Sequence, residues 1–391
     1  MRKFSNNTSK RVDSSQQRAR AAMRVAFAAF FFFYFYKIQD AALSIEQHQL
    51  SKGVTSYAPF AGALILTALM MGIQQLIARI VLCRERAYLL TFLPSAVCSI
   101  LLTAFLPELR VMSAVSAICL LVLWIIWAVA STINCKAKPP YTRNRTPWVS
   151  HLLLFFLLTF YMGICASSDD TQTFEVRAAR AINEGQYAQA LEPGKRSLAT
   201  SRLLTALRAY ALAHENGALA DRLFSLPLTE AGSSALLLQP ADSSLTLFVP
   251  DSLYSFLLMP PPTTKQSTID YFRNAARHSP TSVARDYLLC ALLLDKHLAE
   301  FADELPHYYQ ISDSVQLPRY YAEALVLYQR LEQKTAFHYA NPNIAANYID
   351  FKEKGDSYPD IKARRNMLWR EYGDTYWWYY YYQPLRHDKV Q

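Results

Sequence analysis

The sequence predicts an all-α membrane protein: an N-terminal bundle of about five transmembrane helices, then a tetratricopeptide-like solenoid of α-hairpins. Three observations predict it. Five apolar blocks lie before Ala166, and blocks of that length exceed what a globular core needs. The basic excess gathers at the ends of those blocks. Beyond residue 166 apolar residues recur at helical spacing around two glycine turns.

Residues 1–20 form a basic tail read as cytoplasmic, and residues 21–166 form the transmembrane region. A span needs about 20 apolar residues. Ala58–Ile77, Tyr88–Leu106, Val111–Ile133 and Trp148–Cys165 meet this with no Asp, Glu, Lys or Arg inside. The first block, Ala21–Ile38, reaches span length only if Arg24 and Lys37 snorkel outward. A signal peptide is the rival reading. The run Phe30 to Tyr36 followed by Lys37, with no small-x-small site directly after it, favours a retained helix. Tyr57, Tyr88, Tyr141 and Trp148 stand where interfacial aromatics belong, and Trp124 and Trp127 are placed to pack against a neighbouring helix.

The formal net charge is +9. Residues 1–166 carry a balance of +12 and residues 167–391 a balance of −3. The outer part has no basic surplus to neutralise phosphates, which excludes it as a nucleic-acid binder. Flanking charge sets orientation. Fourteen Lys/Arg lie in the tail and the start of the first block (Arg24), the second-to-third loop and the fourth-to-fifth loop, against three in the alternate loops. The N-terminus is therefore expected in the cytoplasm and residues 167–391 on the far side. The spans hold no ionisable group at depth, with Gln74 and Gln75 near one end. That favours an anchor over a hydrated transport path.

In the outer domain, Gly185-Gln186-Tyr187-Ala188-Gln189-Ala190-Leu191 resembles the turn and second-helix start of a tetratricopeptide repeat. Glycine relieves the tight turn, and alanine lets the helices approach. Gly217-Ala218-Leu219-Ala220 repeats the pattern at near-correct spacing. Residues 228–263 break it with Gly232, Pro240, Pro250 and Pro260 to Pro262, and read as an irregular insertion. Helices resume over Ile269–His278, Val283–Asp295, Leu298–Tyr309, Pro318–Arg330, Asn343–Lys354 and Pro359–Tyr372. In the tail, Trp369, Tyr372 and Tyr376 are expected on one helical face, beside Trp377 and Trp378. Three roles stay open for this aromatic set: core packing, a sugar or peptide platform, or membrane contact. Trp369, Tyr376, Trp377 and Trp378, with the basic pair Arg364 and Arg365, are the candidate partner-binding residues.

The stretches Asp286 to Asp295, Leu305-Pro306-His307-Tyr308-Tyr309, Leu317 to Leu325 and Tyr372-Gly373-Asp374-Thr375-Tyr376-Trp377-Trp378-Tyr379 carry a resemblance. They look like the C-terminal half of a family of multi-span membrane proteins from Bacteroidota. The likeness covers roughly residues 174–230 and 265–382. It implies a bacterial inner membrane with the repeat domain in the periplasm, and it implies no activity.

No catalytic, cofactor-binding or metal-binding set emerges. His214, His278, His297, His307 and His338 fall on separate helices, without metal-ligand spacing. No Cys-x-x-Cys occurs, and Cys290 sits in an apolar run as a buried small hydrophobe. Ten glycines give no phosphate-cradling loop. The expected partners are the lipid bilayer and an envelope protein or peptide held by a membrane-anchored scaffold. The alternative is an envelope-polymer enzyme or accessory subunit, which would need Glu46, His48 and Glu108 to converge in the outer loops. Topology is directly testable in a background stripped of native cysteines. A maleimide excluded from the cytoplasm is expected to label Asp169→Cys and to leave Lys138→Cys untouched. The reverse pattern overturns the orientation.

Overall fold

A computed structural model describes residues 2–80, 85–102, 110–134, 147–166, 170–215, 217–229, 231–239, 254–263, 266–278, 281–312, 315–332 and 339–385. It is all-helical, at 76% helix, with no strand among the described residues. It divides into two compact units, residues 1–169 and 170–391.

In the first unit, α1 (Arg2–Phe33) runs into a π-helical turn, Tyr34–Ile38. Where the sequence suggested a loop, α2 (Asp40–Leu50) follows, with Asp40 to Ile45 buried. Then come α3 (Pro59–Ile80), α4 (Leu93–Leu102) preceded by a 3-10 segment Glu85–Phe92, α5 (Arg110–Asn134) and α6 (Pro147–Cys165). Two stretches, Arg20–Ile38 and Pro59–Ile80, are long and apolar enough to cross a membrane. A third joins them if Leu152–Cys165 is counted with the helix after it. Tyr88–Leu102 and Ala114–Ala130 are shorter apolar helices.

This unit buries an apolar cluster that includes Phe27, Phe31, Phe35, Phe92 and Ile100, and it also exposes a large apolar surface, unlike a water-soluble domain. Leu64, Ile65, Leu69 and Leu76 of α3, Leu123 and Ile126 of α5, and Leu153, Phe156 and Phe160 of α6 face outward and are exposed. Gln74, Thr91, Ser95 and Ser99 are buried. Gln74 Nε2 donates to Thr91 Oγ1 at 3.0 Å and to Tyr88 Oη at 3.3 Å. Arg24 Nε donates to Tyr88 Oη at 2.7 Å, and Ser95 Oγ to the Met70 carbonyl at 2.9 Å. Tyr88, expected at an interface, is instead buried beneath Arg20 and Arg24. Phe27 stacks on Phe92 at 4.0 Å and meets Phe155 edge-on at 4.9 Å. Trp124 Nε1 donates to the Leu90 carbonyl at 2.8 Å, as its depth in the span suggested.

The second unit opens with α7 (Asp170–Asn183) and α8 (Tyr187–Ala190), then α9 (Arg202–His214) and α10 (Leu219–Arg222). Gly185 and Gly217 take φ of +72° and +83°, the left-handed turn that glycine adopts at least cost. The helices that follow them correct the repeat expectation. Both α8 and α10 are one turn long, the latter extended by a 3-10 turn, Leu223–Ser225. Pro193 and Pro227 follow closely, and a proline ring cannot continue a helix. The buried Arg208 holds both stops: Nη2 donates to the Pro193 carbonyl at 2.8 Å and Nη1 to the Pro227 carbonyl at 3.2 Å.

Next come α11 (Thr268–His278), α12 (Ser282–Leu294), α13 (Leu298–Glu304), α14 (Arg319–Leu331), α15 (Pro342–Asp356), α16 (Ile361–Tyr372) and α17 (Tyr376–Tyr382). Side-chain caps fix several starts. Thr281, Asn341, Asp360 and Thr375 each accept from the backbone N–H three residues on. α12 is buried from Asp286 through Leu294, so it is the central post of the unit. The described parts of 228–263, residues 228–229, 231–239 and 254–263, pack onto this core: Leu236, Leu237, Tyr254 and Leu257 are buried. Gly232 N–H donates to the Pro384 carbonyl at 2.8 Å and forms a parallel bridge with Leu385. A Cβ at Gly232 would lie 1.9 Å from Tyr379 Oη, so only glycine fits there.

Burial lowers the Arg208 guanidinium to about 10, still cationic at neutral pH. Arg208→Met is expected to leave the Pro193 carbonyl without this donor and the Pro227 carbonyl with Thr200 Oγ1 alone, and to cost about 2 kcal/mol of stability. Thermal unfolding of the detergent-solubilised chain measures it. A variant as stable as the parent would mean that the carbonyls find other partners.

Candidate functional site

The candidate partner-binding residues lie on two helices, not on one continuous face. Gly373, Asp374 and Thr375 interrupt the chain between α16 and α17. Trp369 stays on α16, 52% exposed. Tyr376, Trp377 and Trp378 start α17 and are buried.

Glu323 of α14 organises this end of the unit. Its carboxylate accepts from Tyr376 N–H at 2.7 Å and from Arg319 Nε at 2.8 Å. Its carbonyl accepts from Trp377 Nε1 at 3.1 Å. Arg319 reaches on to Asp374 at 3.0 Å, and its backbone N–H donates to Asp221 at 2.6 Å. A buried carboxylate thus caps the first turn of α17, where helix N–H groups lack intrahelical partners. Tyr376 Oη donates to the Leu293 carbonyl at 3.1 Å and Tyr379 Oη to the Leu294 carbonyl at 2.7 Å. These bonds satisfy the end of the central α12. Phe224 meets Tyr320, Tyr376 and Tyr379 at ring distances of 4.7–5.2 Å. The aromatic tail is core, and its polar tips close helix ends.

Trp378 Nε1 donates to the Arg365 carbonyl at 3.2 Å, and the Arg365 guanidinium lies 5.7 Å from the Trp378 ring. Arg364 Nε donates to the Tyr358 carbonyl at 2.9 Å. The basic pair therefore divides. Arg364 ties down the turn before α16, whereas Arg365 is exposed over a buried indole.

Two further groupings carry polar side chains that sequence reasoning did not connect. Asp286, buried on α12, accepts from Tyr309 Oη at 2.6 Å and Tyr321 Oη at 2.9 Å. Cys290 Sγ lies 3.8 Å from Tyr321 Oη. Burial raises the Asp286 carboxyl against the pull of both tyrosines, and it raises the Cys290 thiol well above its usual range. The sequence signal was helical spacing: Asp286 and Cys290 stand four apart on one face. His214 is stacked between Tyr187 at 4.2 Å and Phe256 at 4.1 Å, and burial lowers its pKa. An open cleft of about 550 Å³ lies elsewhere, lined by Phe174, Glu192, Gly194, Lys195, Arg196 and Ser197. Lys195 there is engaged by Glu192 at 3.1 Å.

Among the described residues, no three His, Cys, Asp or Glu are grouped to hold a metal ion. Glu46 and His48 both fall on α2, while Glu108 lies outside the described residues, as do His338, Cys83 and Cys135. Cys98, Cys119, Cys165 and Cys290 are free thiols.

Burial pushes the Glu323 carboxyl from 4.5 up to about 7, outweighing Arg319 and the Tyr376 N–H, which both favour its charged form. Between those values the unfolded chain releases this proton and the folded chain keeps it, so stability falls as pH rises through the window. In Glu323→Gln that dependence is gone. The stability of the variant relative to the parent should improve by about 2 kcal/mol from pH 4.5 to 7.5. Melting temperatures across that range measure it, and a constant difference contradicts the assignment.

Comparison with known proteins adds one finding. No curated protein and no solved structure matches the chain. Residues 263–383, the segment from just before α11 through α17, match the model of a family of unknown function, DUF6057.

Proposed function

We propose that the chain is a membrane-anchored scaffold. About five helices hold it in a bacterial inner membrane with the N-terminus cytoplasmic. The helical unit stands in the periplasm and presents a surface for a protein or peptide. The observation that carries the reading is the outward apolar face of α3, α5 and α6 around an interior of packed rings and a few hydrogen-bonded polar side chains. Such a surface suits hydrocarbon, and in water it would drive association. The charge alternation of the loops supports the orientation. The helical unit supports the scaffold half of the reading. Its glycine turns at Gly185 and Gly217 join helices into hairpins, and stacked hairpins build extended binding surfaces. Its buried carboxylates, Asp286 and Glu323, are engaged with tyrosine hydroxyls, an arginine and a backbone N–H. Those are structural tasks rather than positions open to a substrate.

The test is crosslinking in intact cells followed by detergent extraction and affinity capture of the full chain. The expected result is a protein or peptide crosslinked to residues of the 170–385 unit. Recovery of a lipid-linked glycan with no polypeptide partner would sink the scaffold and favour an envelope-polymer enzyme or accessory subunit. Release of the chain into solution without detergent would sink the anchorage.

A further inference from the structure

A flank of α16, beside the stripe that this helix buries, is a part of the helical unit that the packing described so far does not account for. Leu368 and Tyr372 are the residues that bury this helix. Elsewhere it carries Ile361, 71% exposed, and Trp369, 52% exposed. Lys362, Arg365 and Arg370 are exposed on the same helix. At 3.6 residues per turn, Lys362, Arg365 and Trp369 fall within about 60° of one another on one flank; Ile361 lies in line with the buried Leu368 and Tyr372 but at the open first turn, and Arg370 is about 100° round from Trp369, within reach of the same surface through its long side chain. Local acids do not neutralise these cations. Glu371 pairs with Lys354 at 2.7 Å, and Asp360 caps the helix by accepting from Ala363 N–H at 2.8 Å. None of Lys362, Arg365 and Arg370 forms an ion pair among the described residues.

We infer that this flank of α16 docks on the surface of an anionic lipid bilayer, with the Trp369 indole at headgroup depth and Lys362, Arg365 and Arg370 against lipid phosphates. The chemistry selects a lipid surface over a protein. A stable protein interface buries about 800 Å² on each partner around several apolar anchors. Here the exposed apolar side chains are one indole and one isoleucine, with Met367 on the opposite side of the helix, set among cations that form no ion pair with a described residue. An amphipathic ring flanked by long basic side chains is what the headgroup layer accommodates. The contact can also be individually weak. Only the short stretch between Cys165 and Asp170 separates the apolar helix α6 from the helical unit. A tether that short keeps the local concentration of a bilayer surface high. This inference rests on the membrane anchorage proposed above and not on the scaffold role.

The test uses the full chain in nanodiscs, with lipids brominated on the acyl chain as quenchers. The emission of wild type minus that of Trp369→Phe isolates Trp369, because the other tryptophans contribute equally to both. In discs of phosphatidylcholine with phosphatidylglycerol, Trp369 emission is expected to fall when brominated lipid replaces ordinary lipid. The loss should fade as salt rises to roughly 0.5 M, where the screening length drops to a few ångströms. It should be absent in pure phosphatidylcholine. Lys362→Gln/Arg365→Gln/Arg370→Gln should abolish it while lowering the melting temperature no more than Arg365→Gln alone, which removes the contact with the Trp378 ring. Two outcomes overturn the docking: a chain that enters the discs with Trp369 emission indifferent to bromine, or quenching equal in neutral and anionic discs. Failure of the chain to enter discs at all would instead refute the anchorage.

Discussion

A single buried carboxylate sets the geometry of the helical unit. Glu323 receives the N-terminus of α17 through Tyr376 N–H and at the same time holds Arg319, which reaches Asp374 and Asp221. Four parts of the chain thereby meet at one point: the α10 hairpin, α14, the turn after α16, and α17. Removing a buried charge that carries so many donors leaves each of them unsatisfied, which is why such nodes are costly to disturb. The aromatic tail can lie inside the molecule because its polar tips have fixed acceptors at the end of α12. Without those acceptors, burying tyrosine hydroxyls would oppose folding.

The first unit is apolar on both its inside and its outside. Phe27, Phe31, Phe35, Phe92, Leu89 and Ile100 are buried together with hydrogen-bonded Gln74, Thr91, Ser95 and Ser99, while Leu64, Ile65, Leu69, Phe156 and Phe160 face out. The Arg24–Tyr88–Gln74–Thr91 chain joins α1, α3 and the segment before α4. Where hydrocarbon surrounds a helix bundle, apolar burial no longer drives helices together, and packing and hydrogen bonds between them matter more. The stacked rings of Phe27, Phe92 and Phe155 supply the packing part of that adhesion.

Much of the helical pattern was legible in the sequence because it depends on local chemistry. Thr281, Asn341 with Pro342, and Asp360 are start signals that act within one turn, and helices begin at or beside the expected residues. Gly185 and Gly217 were likewise readable as turns. The length of α8 and α10 was not, because the repeat pattern suggested a full second helix while Pro193 and Pro227 allowed one turn. The end of α16 at Tyr372 was legible, but the change of direction after it was not, so Tyr376 was placed on the face of Trp369 and Tyr372. A run of aromatics at helical spacing hid the Gly373-Asp374-Thr375 turn, and its stabiliser, Glu323, lies fifty-three positions away. The candidate site divided along the same line. Exposure of Trp369 and burial of Tyr376, Trp377 and Trp378 follow from that turn, which periodicity alone does not reveal. The pairing of Asp286 with Tyr309 and Tyr321 is non-local in the same way.

The bridge between Gly232 and Leu385 has a consequence for how the molecule is made. The closing strip around Tyr379, Gln383 and Pro384 bonds to the 229–232 segment and, through Lys296, to the end of α12. Those partners leave the ribosome well before the strip does. Until it arrives, Phe224, Leu293 and Leu294 lack their covering rings and carbonyl donors, so α9 to α15 can assemble only as an open intermediate during synthesis. The finished unit forms late and as a whole, and a chain halted a few helices short would present its central post to chaperones and proteases rather than a smaller stable domain.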